Sequence, residues 1–322
     1  MYRLSFLVPS LNEEFLPQTV EDILKHTSDQ SEVIVVLDGW YTELKPHPRL
    51  RIIHNETPKG QRAATNQACK LSEAKYVCKI DAHCSLKQDW DIEMFKAFEQ
   101  AGDDTTMVSV MRNLWAFNWV CPKDNTTHYQ DKGNICPTCK GEMEKDIVWI
   151  AKERPESYSY RFDTTLHFQY FREYKRHPQF QKDKPTGLTE TMSLQGSLFM
   201  LTREKYWGLN ISDESWGSWG QQGTEVACKT WLSGGKCLVN HNTWYAHMFR
   251  TKHGVFGFPY KQDEKQIAHA RETSRKLFLD NTWPLQKYPL VWLIDRFSPV
   301  PDWEGSEMLD KIREHAKPWY NQ

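Results

Sequence analysis

Asp81, Ala82 and His83 follow an apolar run, Tyr76 to Ile80 (YVCKI). A carboxylate and an imidazole two residues apart at a strand end can both reach one cation. Mn²⁺ takes mixed oxygen and nitrogen donors and keeps positions open for phosphate oxygens. The bland alternative is a loop Asp that caps the next helix beside a surface His. A second group, Cys121, His128, Cys136 and Cys139, lies within CPKDNTTHYQDKGNICPTCKG. Four sulfur and nitrogen donors suit tetrahedral Zn²⁺, and Cys-Pro-Thr-Cys has the form of one knuckle half. Such a zinc would be structural, stapling a loop with almost no apolar residues to fold around. Incidental thiols, or a disulfide in a secreted protein, are the other readings.

The elements around these groups suggest an open parallel sheet. Leu4 to Val8 reads as a buried strand, followed by the loop Pro9–Glu14 and a helix over 15–27. Glu32 to Leu37 (EVIVVL) is a second strand, ending on Asp38, and Ile52-Ile53 a short third. Gly60 to Leu71 has helical spacing, and Tyr76 to Ile80 is a fourth strand. Strands joined by helical crossovers give a doubly wound α/β sheet, whose ligands bind beyond the strand C-termini. Pro9–Glu14, Asp38 and Asp81 all fall there. Beyond Trp90–Gln100 (helix) and Thr106–Met111 (strand), residues 117–145 break the pattern, and 146–186 have no clear period. Gln195–Leu201 and Lys236–Val239 read as strands, 224–232 and Glu264–Leu279 as helices, and the tail as packing across the core.

The chain has 322 residues with net charge −1, so bulk charge gives no support to non-specific nucleic-acid binding. Its 14 Trp suit cores and equally sugar or base stacking. No run approaches the roughly 18 apolar residues of a membrane span, and the opening segment is too short for a secretory signal; the expectation is a cytoplasmic protein.

Val8–Glu13 (VPSLNE), the Asp38 strand end, Asn55 to Ala68, Lys79–Cys84 (KIDAHC), Gly196–Phe199, Trp219–Trp231 and His247–Pro259 (HMFRTKHGVFGFP) occur in one order. In that order the chain resembles family 2-like glycosyltransferases of GT-A fold, most closely the polypeptide N-acetylgalactosaminyltransferases. The resemblance implies a GT-A catalytic domain over 1–260; the 117–145 zinc-binding insertion is this chain's own addition to it, and a helical extension over 261–322 packs on the core. It implies a nucleotide-sugar donor, UDP being the expected nucleotide. Asp81 and His83 then match the metal-binding pair and His247 the third ligand. Arg250 and His253 match a loop that contacts the diphosphate, where an Arg fork suits phosphate oxygens. Asp38 is similar to the acidic position near the uridine. Arg62 and Asn66 fall in the stretch lining the donor site, and Pro9, Asn12, Glu13 and Ala82 complete the donor-binding set.

Trp219, Gln222 and Glu225 are the remaining candidates, and here the chain departs from that family. Inverting relatives carry an acidic pair before the Glu that matches Glu225; retaining relatives have Glu-Asn. This chain has Gln222-Gly223. With no carboxylate at the usual base position, transfer with retention is the expectation, because the departing phosphate can take the acceptor proton on the same face. Glu225 either positions the acceptor or opens its helix favourably. The acceptor stays open between a peptide Ser/Thr hydroxyl, a hydroxymethylated DNA base and a glycan. Two other readings remain: an inverting transferase acting on a surface glycan, and a non-catalytic binding module on a decayed transferase fold, stabilised by its zinc loop.

Overall fold

A computed structural model describes residues 1–250, 257–260 and 263–320. The Ser31–Asp38 strand is buried at all eight positions, as a near-continuous Val/Ile/Leu run must be when helices cover both faces of a parallel sheet. It pairs in parallel with Leu4–Ser10 on one side and Leu50–Asn55 on the other. Leu4–Ser10 pairs in parallel with Tyr76–Ile80. The crossovers run through the helices Leu16–His26 and Gln61–Leu71. Four parallel strands therefore end at one edge, and Ser10, Asp38 and Asp81 stand along it.

The other half of the sheet mixes directions. Leu198–Thr202 lies antiparallel to Tyr76–Ile80 and contacts the strand Thr105–Val120. Lys236–His247 runs parallel to Thr105–Val120, with a register shift between Asn240 and Trp244. The described sheet has eleven strands. Because Lys236–His247 ends in the same direction as the parallel strands, its last residue arrives at the edge that carries Asp81.

Three expectations change. The strand expected over Thr106–Met111 continues to Val120, because Thr127–Tyr129 and Glu144–Lys152 pair with its far half. The 117–145 stretch (the hairpin) thus joins the sheet through its ends and a short central strand, Thr127–Tyr129, with turns between them. Lys236–Val239 is the start of a twelve-residue strand rather than a separate short one. Residues 146–186 hold an antiparallel pair, Tyr160–Phe162 with Phe168–Tyr170, and a short helix, Pro178–Asp183. In the first two cases pairing with a distant partner, which local periodicity does not carry, decides the element.

After residue 263 come the helices Glu264–Phe278, Leu290–Phe297 and Glu307–Tyr320. Phe278, Leu293, Phe297, Trp303 and Ile312 join the same buried cluster as the central strands, with Phe297 5.6 Å from Trp231 between ring centres. A smaller cluster under the hairpin gathers Phe15, Phe117, Trp119, Cys121, Cys136 and Met143 against Ala246 and Met248. Among the described residues no helix is long and apolar enough to cross a membrane.

Candidate active site

Asp81 is held at the sheet edge by its backbone N–H, which donates to Ser197 O at 2.9 Å. Immediately after it, Cys84–Leu86 forms a short strand antiparallel to the end of Lys236–His247, placing Cys84 opposite His247. Met248 N donates to His83 O at 3.2 Å. This local pairing brings the two imidazoles together, with 3.1 Å between their Nε2 atoms. Asp81 Oδ2 lies 3.4 Å from His247 Nε2 and 4.0 Å from His83 Nε2. One donor atom from each residue lies within 4.8 Å of the others. Cis ligands of an octahedral cation with bonds near 2.1 Å are about 3.0 Å apart, so the two nitrogens match a shared ion.

The electrostatics suit a cation. Burial alone would raise the Asp81 carboxyl; Lys79, the hydrogen bond from His247 and the charge of His83 outweigh it and hold the carboxyl well below its usual range. Lys79 ion-pairs with Asp81 and donates to Gly196 O at 2.7 Å. Burial pushes His247 down to about 4, against an opposing hydrogen bond that it donates to Asp81, so at neutral pH its imidazole is uncharged and offers a lone pair. Glu13 Oε2 sits 3.3 Å from His83 Nδ1 and also ion-pairs with Arg250. Neither His83 Nδ1 nor His247 Nδ1 is in hydrogen-bond geometry with a partner, so Glu13 approaches His83 closely without a formed hydrogen bond. Arg250 Nη1 donates to Gly257 O at 2.9 Å.

These groups face a cavity of about 750 Å³, of the size of small-molecule sites. Pro9, Glu13, Asp38 and Ala82 of the expected donor set line it, as do Trp219, Gln222 and Arg250. Asp38 faces it with both oxygens engaged, accepting from the N–H groups of Lys59 and Gly60 and from the Asn55 amide. The Lys59–Gly60 turn, and with it the start of the Gln61–Leu71 helix, is tied to that carboxylate. Gln222 donates through Nε2 to Ser212 Oγ at 3.2 Å, while its buried Oε1 has no partner.

Four expected residues do other work. Glu225 is fully buried; its Oε2 accepts from Arg62 at 3.0 Å and its Oε1 from Lys229 at 2.9 Å and Asp213 N at 3.0 Å. It is the centre of an ion network, with no free oxygen facing the cavity. Arg62 donates further to Gly217 O and Gly220 O and so holds the Trp219 loop. Asn66 bonds Ser212 O, Glu214 and the Tyr206 hydroxyl. Asn12, exposed and in the left-handed region at φ 53°, donates to Pro259 O at 2.8 Å. His253 lies outside the described residues.

Lys79, Phe249 and Tyr260 line the cavity and were not among the candidates. A lysine inside the apolar run YVCKI, just before Asp81, is the signal that could have found Lys79. Gly223 has a packing reason: a Cβ there would lie 2.0 Å from Leu194 O, so any side chain at that position requires the backbone of the facing strand entry to move.

Beyond the strand Thr105–Val120, Cys121, Cys136 and Cys139 come together, and the fourth side chain within reach of them is Asp124. His128 sits on the adjoining strand opposite Trp119, outside that group, with its buried Nδ1 unpartnered. Strand pairing, which fixes His128 in the ladder, is what removes it from the thiols.

Residues 5–208 match the family described as glycosyl transferase family 2. The chain is similar to the putative polypeptide N-acetylgalactosaminyltransferase 13 of Drosophila melanogaster, 25% identical over 224 residues, covering 70% of this chain and 34% of that protein. It is also similar to polypeptide N-acetylgalactosaminyltransferase 16 of Homo sapiens, 20% identical over 267 residues, covering 81% of this chain and 41% of that protein. The chain thus spans less than half the length of either relative. The crystal structure of GalNAc-T7 with UDP, GalNAc and Mn²⁺ matches with a TM-score of 0.63 at 15% identity, over 98% of this chain and 54% of that one. That likeness is one of fold, the GT-A arrangement of a large, mostly parallel sheet. On the family match, the chain belongs to glycosyl transferase family 2.

Proposed function

We propose that this chain moves a sugar from a UDP-linked donor to a hydroxyl of a macromolecular acceptor, with retention of anomeric configuration and a divalent cation at Asp81, His83 and His247. The observation that carries the reading is the convergence of two imidazoles and a carboxylate at the sheet's C-terminal edge, inside the cavity. The donor set fits Mn²⁺, which when bound neutralises pyrophosphate charge as the glycosidic bond breaks.

The chain's own residues supply the rest. Arg250 lines the cavity with a fork able to donate twice to phosphate oxygens. Glu13 touches both His83 and Arg250 and so sets the distance between the cation's ligands and that fork. Gln222 lines the cavity with its Nε2 tied to Ser212 Oγ and its buried Oε1 unpartnered.

Retention is favoured by what the cavity carboxylates already do. Among the described lining residues these are Glu13, Asp38, Asp81 and Asp263. Glu13 pairs with Arg250, Asp38 holds the Lys59–Gly60 turn, Asp81 belongs to the cation site, and Asp263 caps the Glu264–Phe278 helix. Glu13, Asp38 and Asp81 are thus committed to other partners, and Asp263 accepts from the first amides of its helix through Oδ1. The acceptor oxygen then attacks the anomeric carbon on the face the phosphate leaves, and its proton passes to the departing phosphate oxygen.

The names of the relatives favour a polypeptide acceptor, and a Ser/Thr side chain would supply its hydroxyl. The test is release of nucleotide from a panel of nucleotide sugars, with and without Mn²⁺, in the presence of a Ser/Thr peptide or a hydroxymethylated oligonucleotide. Mn²⁺-dependent turnover of a UDP-sugar and an α-linked product from an α-donor are expected. No turnover with any donor overturns the enzymatic reading; a β-linked product overturns retention.

A further inference from the structure

We infer that the hairpin tip binds one Zn²⁺ through Cys121, Cys136, Cys139 and the carboxylate of Asp124, a site separate from the cavity. The two halves of the site share a backbone repeat that spacing alone does not show. Cys121-Pro-Lys-Asp124 and Cys136-Pro-Thr-Cys139 are two copies of one backbone turn. Cys121 N donates to Thr126 O at 2.9 Å, and Cys136 N to Gly141 O at 2.9 Å. Asn125 N donates to Cys121 O at 3.0 Å, and Lys140 N to Cys136 O at 3.0 Å. Asn125 and Lys140 close the turns with φ of 58° and 60°. The amides of Lys123 and Asp124 are directed at the Cys121 sulfur, and those of Thr138 and Cys139 at the Cys136 sulfur. Paired turns whose amides point at the first sulfur are the two halves of a tetrahedral thiolate site, and in the first half Asp124 holds the place that Cys139 holds in the second.

Distances agree. Cys121 Sγ and Cys139 Sγ are 3.5 Å apart, far beyond a disulfide bond of about 2.0 Å and near the ~3.8 Å edge of a tetrahedron with Zn–S bonds of about 2.3 Å. Cys136 Sγ and Asp124 Oδ2 are 3.5 Å apart, close to the edge of about 3.5 Å for one Zn–S and one Zn–O bond. Cys121 and Cys136 are fully buried in the satellite cluster that also packs on Ala246 and Met248. The zinc therefore clamps the hairpin core against the two residues that flank His247.

The experiment uses the full chain, purified under reducing conditions without chelators. Zinc is counted by elemental analysis and by release on modification of thiols with a mercurial, which separates thiolate-held zinc from any metal at Asp81, His83 and His247. One mercurial-released zinc per chain is expected, and His128→Gln is expected to keep it. Asp124→Cys is expected to keep it too, with slower loss to a chelator; Asp124→Ala should lose it readily. Thiol-held zinc missing from the unaltered protein overturns the site, as does a mass two hydrogens short that maps to a Cys121–Cys139 disulfide. Zinc kept in Asp124→Ala and lost in His128→Gln overturns the assignment of Asp124.

Discussion

The Nε2 atoms of His83 and His247 face each other across 3.1 Å although the residues stand 164 positions apart. Two imidazoles meet in this way either by one donating to the other or by both offering lone pairs to a shared cation. Asp81 beside them and the depressed affinity of His247 for protons favour the cation.

His247→Ala, or His83→Ala, should lower Mn²⁺ affinity and reduce kcat/KM by about 10²-fold or more, since charge stabilisation of the leaving group is the largest contribution the cation would make. Calorimetric Mn²⁺ titration and turnover at saturating metal check this. Unchanged turnover in both variants would remove the cation from the mechanism.

Glu13→Gln should act at one remove. Replacing the group that faces a ligand's second ring nitrogen typically costs about 10- to 100-fold in metal affinity. The rate should therefore need more Mn²⁺ to saturate, while thermal stability moves little. A variant with unchanged Mn²⁺ dependence would confine Glu13 to its pair with Arg250.

Glu225→Ala should destabilise the fold rather than change the chemistry. Arg62 and Lys229 would be left charged and buried beside a vacated site, and breaking a buried pair costs about 3–5 kcal/mol. Denaturant unfolding should show that loss. A variant as stable as the parent but deficient in kcat would show that Glu225 serves the acceptor after all.

Stability should fall with acid through His241, which bonds Thr189 and stacks on Tyr158. Burial, then the charges of Lys184 and Lys175, push its pKa down to about 4, against about 6.5 in the unfolded chain. Above the unfolded value neither state is protonated and the contribution is intact. As pH falls from there toward 4 only the unfolded chain binds the proton, and stability drops by up to about 3 kcal/mol before solvent screening reduces it. Urea unfolding at about pH 7.5 and about pH 5 should show a smaller acid loss for His241→Gln than for the parent; equal losses would assign the acid sensitivity elsewhere.

By itself the sequence determined the parallel half of the sheet. EVIVVL and YVCKI state their burial in their own composition, and polar residues after such runs mark the ligand-binding edge, so Asp81 and His83 were legible as a pair. Lys79 was legible too, as a charge inside an apolar run. Only the tertiary structure decided which distant groups join them. His247 reaches His83 because Cys84–Leu86 pairs with the end of its strand. Glu225, Arg62 and Asn66 turn inward because they satisfy one another's neighbours. Asp124 takes the place beside the thiols because a repeated turn presents it, while a strand ladder holds His128 away. Local pattern records which side of an element is buried; it carries no record of the partner strand, and in this protein partner strands set the geometry of both candidate metal sites.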